Sequence, residues 1–176
     1  GDGVPKLLDF GIARPLLTAL LPRDRTLTQG GAPCTPEYAS PEQVRGEALR
    51  EPSDVYSLGV LLFRILTDAR PYGPGGVSPH EALRLVCEVD VGRPSACAPP
   101  ERRAALRGDL DRVVAMATSK DPAARYPSVW ALWEDLEAYA RGRPLRAHGP
   151  SALYQLRKLL GRNAGAAAAV GLSALL

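Results

Sequence analysis

The sequence predicts a mainly α-helical fold, a bundle entered through one short hairpin and one long loop, on three observations. Two capping boxes with proline at the first helical position, Ser40-Pro41-Glu42-Gln43 and Ser78-Pro79-His80-Glu81, mark helix starts. Between them "SDVYSLGVLLFRILTD", Ser53 to Asp68, is apolar on every side of a helix, the pattern of one buried all round. Two later stretches, "GDLDRVVAMATSKDP" and "SVWALWEDLEAYARG", keep helical spacing. With 176 residues, 45% of them apolar and 23% charged, the chain has the length for one domain with its own core and a globular composition.

Taken in order, Asp2-Gly3 is a turn pair and Lys6-Leu7-Leu8 a short strand running into Asp9, the end of a hairpin. From Ile12 to Pro36 no period holds, and Pro15, Pro22, Gly30, Gly31 and Pro33 interrupt the chain; a loop of that length implies a function. After Pro79, residues Ala82, Leu85, Val86 and Val89 fall on one helical face. In the last of these helices Val129, Leu132, Trp133, Leu136 and Tyr139 point inward and Gly142 stops the helix. Trp130 and Trp133 read as core packing rather than a ligand cage.

The net charge of +3 is unevenly placed. From Arg141 to the end stand six basic residues and no acidic one, so residues 1–140 carry 16 basic against 19 acidic. A basic tail suits nucleic acid or an anionic membrane, and here it leads into "NAGAAAAVGLSALL", uncharged to the last residue, without interleaved aromatic platforms. That combination favours a membrane and no nucleic acid. Cys34, Cys87 and Cys97 are odd in number, without CxxC spacing, which argues against a disulfide framework or zinc site and for a reducing compartment. No signal peptide opens the chain.

The motifs gain force from order and spacing. Asp9-Phe10-Gly11 ends a strand; the long loop follows; "CTPEYASPEQ" opens a helix; the apolar helix comes next; "KDPAARYPS" precedes the last one. In this series the chain resembles the eukaryotic-type protein kinase family, in the serine/threonine branch found in bacteria. The resemblance covers about Gly1 to Arg143, the part of the C-terminal lobe after the catalytic loop. It implies that Asp9 holds the Mg²⁺ bridging the ATP phosphates, that Phe10 packs behind it and that Gly11 lets the backbone turn. It places Thr35, Pro36 and Tyr38 in substrate positioning, with Thr35 lining the site of the substrate hydroxyl. Ser40-Pro41-Glu42 stands where the family has Ala-Pro-Glu, and serine is the better cap. Glu42 is expected to pair with Arg125, and Asp54 matches the aspartate that holds the catalytic-loop backbone. Cys34 replaces the usual glycine, a small substitute or a reactive thiol. Thr26 and Thr28, near Arg23, Arg25 and Arg14, are the candidate phosphorylation sites of the loop.

Other parts of the family pattern are missing from the 176 residues. The two histidines, His80 and His148, stand in no HRD motif; no Gly-rich loop precedes Asp9, and Lys6 is too near it to be the strand-three lysine. The expectation is therefore a partial kinase domain over residues 1–143, a basic juxtamembrane linker or helix over 144–162 and, over 163–176, the truncated start of a transmembrane helix, with an Ala/Gly-rich soluble helix end as the alternative. The intact parent would use ATP and Mg²⁺, act on protein serine or threonine, need its own N-lobe and keep its kinase part in the cytoplasm, anchored in the inner membrane. The alternative is a non-catalytic kinase lobe that serves as a docking module.

Overall fold

A computed structural model describes residues 38–72 and 78–162. The chain divides into two compact units, residues 1–34 and 35–176, and every described residue belongs to the second. The hairpin, the long loop and the 163–176 run lie outside the described residues, as do Asp9, Phe10, Gly11, Thr26, Thr28, Cys34, Thr35 and Pro36.

The described part is helical. In chain order the α-helices are α1 (Pro41–Val44), α2 (Glu51–Thr67), α3 (Pro79–Glu88), α4 (Pro94–Cys97), α5 (Pro100–Leu106), α6 (Asp109–Ala117), α7 (Val129–Ala140) and α8 (Ala152–Arg162). Two 3₁₀ turns, Pro122–Ala124 and Arg146–His148, flank α7. The starts at Ser40 and Ser78 follow the chemistry read from the sequence, and Ser128 adds a third cap. Ser40 accepts from the Gln43 amide and donates its own amide to the Gln43 side chain, the reciprocal box. Ser78 accepts from the Glu81 amide and Ser128 from the Ala131 amide. Gly142, at φ +64°, follows the end of α7, and the next amide, of Arg143, reaches back to the Ala138 carbonyl.

Helix α2 is the hub. Val55 joins Val113, Ala117, Tyr126, Ala131, Leu132 and Leu145 in the main core. Tyr56 and Val60 pack on Val86 of α3, and Phe63 packs on Val91 and Val114. Gly59 lets α2 and α6 approach closely: a Cβ there would stand 2.8 Å from both Ala117 Cβ and Thr118 Cγ2.

Helix α2, apolar all round, is not covered on every side by described residues: Leu58, Leu61 and Ile65 are 37%, 42% and 63% exposed, and with Asp54 they share one narrow stripe. Three expectations need correction. Trp130 and Trp133 are exposed and lie against each other, ring centres 4.5 Å apart, rather than in the core. Val129 is exposed too, because the buried face of α7 is Ala131, Leu132, Asp135 and Ala138; a carboxylate that binds three partners takes a core position that apolar counting would not assign to it. Val89 is exposed because α3 ends at Glu88 and extended backbone breaks the helical phase.

Candidate functional site

The described candidate residues meet where α1 joins the body of the bundle. Helix α1 is one turn long, too short to hold itself by backbone hydrogen bonds, so its place depends on side chains. Glu42 points inward and meets Arg125, 83 positions along the chain. The pair is bidentate, Nη1 to Oε1 at 2.6 Å and Nη2 to Oε2 at 2.9 Å, with side chains 0% and 5% exposed for Arg125 and Glu42. The guanidinium also donates to the carbonyls of Ser119 at 2.7 Å, Pro52 at 2.8 Å and Lys120 at 3.3 Å, and lies 4.9 Å from the Tyr56 ring centre. Burial alone would raise the pKa of Glu42; hydrogen bonds from Arg125 and Ser53 outweigh it and bring the carboxyl down to about 2.

Tyr38, just before the cap, is half-buried against the Tyr56, Val60 and Val86 cluster, and its carbonyl accepts from the Ser57 hydroxyl at 2.8 Å. The structure thus brings Tyr38, Glu42 and Arg125 to one end of α2. Asp54 sits in the first turn of that helix, exposed, and among the described residues none hydrogen-bonds its carboxylate.

Two polar clusters escaped the sequence reading. Lys120 is half-buried and donates to the Val86 carbonyl at 2.8 Å and to the hydroxyls of Tyr72 at 2.9 Å and Tyr56 at 3.1 Å, which also bond each other. Burial lowers its pKa to about 8 and pushes that of Tyr72 up to about 12. In the second cluster Asp135 accepts from Tyr126 at 2.8 Å and from the amides of Arg146 at 2.7 Å and Ala147 at 2.8 Å, tying the chain after α7 back onto it. The sequence offered one signal for these: an acid in phase with the apolar face of α7. Nothing comparable marks Lys120, whose partners come from three separate segments.

An inward acid on a one-turn helix, locked by a distant arginine, is the pairing that the resemblance to the protein kinase family implies for Glu42 and Arg125. The sequence profile of the protein kinase domain matches residues 1–126, and the chain belongs to that family. Among similar proteins, the serine/threonine-protein kinase PknB of Mycobacterium tuberculosis is 38% identical over 143 residues, covering 81% of this chain and 21% of the relative. The serine/threonine-protein kinase PknL of the same species is also 38% identical, covering 79% of this chain and 32% of its own length. The serine/threonine-protein kinase pkn3 of Myxococcus xanthus is 35% identical over 142 residues, 78% of this chain and 24% of pkn3. The chain therefore spans between about a fifth and a third of the length of these relatives.

Proposed function

We propose that this chain is part of a serine/threonine protein kinase that moves the γ-phosphate of ATP to serine or threonine hydroxyls of a protein. The observation that carries the reading is the buried Glu42–Arg125 pair, which fixes the end of the segment leading from Asp9-Phe10-Gly11 to α1. The names of the relatives and the Thr35 of "TPEY" support the hydroxyl specificity.

In this reading the Asp9 carboxylate holds Mg²⁺, which when bound neutralises charge on the ATP phosphates; Phe10 and Gly11 shape the turn behind it. Asp9 lies outside the described residues, and among those described no group of three or more His, Cys, Asp or Glu side chains could hold a metal. Thr35, Pro36 and Tyr38 position the protein substrate, with the Tyr38 backbone held by Ser57. Asp54 takes the backbone of the catalytic loop, and the stripe of Leu58, Leu61 and Ile65 in line with it takes other polypeptide of the kinase domain. The rest of that domain, its N-lobe included, is the partner on which catalysis depends, because phosphoryl transfer rests on positioning by all its parts together.

The basic tail supports a membrane location, with residues 1–160 in the cytoplasm and a helix starting near residue 163 in the bilayer. Among the described residues no helix is long and apolar enough to cross a membrane, and residues 163–176 lie outside them.

The test compares three proteins on a generic protein substrate: the 176-residue chain, the same chain with its upstream coding sequence restored, and that longer form carrying Asp9→Ala. Phosphotransfer is expected from the longer form alone. Activity of the 176 residues above an Asp9→Ala control, or none in the longer form, overturns the reading.

A further inference from the structure

Helix α8 turns its apolar residues away from the protein. Its inner face is Tyr154 and Lys158, one turn apart. The Tyr154 hydroxyl donates to Asp109 at 3.0 Å and accepts from the Leu145 amide at 3.3 Å, and the ring stacks on His148 at 3.6 Å. Lys158 pairs with Asp109 at 2.5 Å. At 100° per residue, Leu153, Leu156, Leu159 and Leu160 fall on the opposite side, within an arc of about 120°. They are 78%, 53%, 51% and 48% exposed. The helix is thus docked by polar contacts while its leucines face outward.

We propose that this leucine face seats in the interfacial layer of an anionic lipid bilayer, with α8 lying along the membrane surface. Charge selects the occupant. Arg157 borders the leucine arc and also lines a cleft of about 380 Å³ behind the helix, where Arg107 and Lys158 add two more cations against the single carboxylate of Asp109. No acidic residue occurs from Arg141 to the end of the chain, so the whole tail carries one sign. Leucines on one side and fixed cations beside them form the pattern of a helix that lies in a headgroup layer. A second copy fits less well: two α8 helices face to face would bring Arg157 against its like with no acid on either to pair, and four leucines offer a few hundred Å² per copy, short of the roughly 1,200 Å² of total burial that a specific interface needs. The inference deepens the membrane reading above and rests on it for the location of the chain, but not on residues 163–176 crossing the bilayer.

The experiment floats the purified 176-residue chain with vesicles of phosphatidylglycerol mixed with phosphatidylcholine, against vesicles of phosphatidylcholine alone. The variant replaces Leu153, Leu156 and Leu160 by serine; these side chains point to solvent, so its melting temperature should match that of the original. The expected result is flotation with anionic vesicles, weaker with neutral ones and falling with salt, and a loss of about tenfold or more in partitioning for the variant. Release of all protein by high salt, with that leucine dependence intact, sustains the inference while ending the idea of a span at residues 163–176. Equal flotation of variant and original, indifference to vesicle charge, or no flotation overturns it. So does a lipid-free dimer that the variant dissolves, which would give the face to a second copy.

Discussion

Replacing Arg125 by alanine tests the anchor. The change leaves Glu42 charged and buried and strips the Ser119, Pro52 and Lys120 carbonyls of their donor. Breaking a buried pair from one side costs about 3–5 kcal/mol. The carboxyl gives a second route to the magnitude: a fall from 4.5 to about 2 corresponds to about 3 kcal/mol of preference for the charged form in the folded state. Because the folded pKa is the lower one, that stability is present in full above pH 4.5 and is lost as pH falls toward 2. The difference between original and variant should therefore be largest near neutrality and shrink in acid. Arg146→Ala is the control, since its 3.6 Å bridge to Glu134 is half exposed on both sides and worth at most about 1 kcal/mol. Thermal and urea unfolding followed by circular dichroism at stepped pH should show Arg125→Ala melting about 10 °C or more below Arg146→Ala at pH 7. Replacing Glu42 and Arg125 together by leucine and methionine should recover much of the loss. Equal melting temperatures for the two single variants, or a difference that stays constant down to pH 3, would refute the reasoning.

Gly59→Ala should cost about 1–3 kcal/mol, because the new methyl group meets Ala117 and Thr118 at 2.8 Å, whereas Gly46→Ala, with open space around it at φ +68°, should show backbone strain of only about 1–2 kcal/mol; urea midpoints measure both. Lys120 has a folded pKa of about 8, below the 10.5 of the unfolded chain, so its share of stability should rise with pH between 8 and 10, an increase that Lys120→Met abolishes. In the active full-length enzyme, phosphopeptide mapping should find phosphate on Thr26 or Thr28, where nearby arginines can pair with it; an unmodified loop would end that assignment.

How far the sequence reached depends on how local each signal is. The caps at Ser40 and Ser78 depend on three or four consecutive residues and are readable there, whereas the cap at Ser128 emerges only in the structure. Helices α4 and α5 were not read, although Pro94 and Pro100 open them, because four and seven residues are too few for a period to emerge. The Glu42–Arg125 pair is expected from family resemblance alone, since a separation of 83 positions leaves no local trace. The tryptophans misled for the opposite reason. Helical spacing says which residues share a face, and only the packing of α7 decides that Ala131, Leu132 and Asp135 take the inside while Trp130 and Trp133 remain outside.

The open apolar stripes on α2 and α8 show why charge, more than hydrophobicity, assigns a partner. Leu58, Leu61 and Ile65 on α2 line up with Asp54 at the helix start, and that carboxylate would be repelled by anionic headgroups but can accept hydrogen bonds from backbone amides. Such a stripe suits folded polypeptide. The leucines of α8 have Arg157 beside them and no acid on their helix, so a backbone would find no acceptor there, while a phosphate-bearing surface finds cations. Covering the first stripe should therefore raise the stability of the lobe, whereas covering the second should change only where the chain sits. Substituting Leu61 and Ile65 by serine in the full-length enzyme should lower activity, and substituting Leu153 and Leu156 should leave phosphotransfer to a peptide in solution intact.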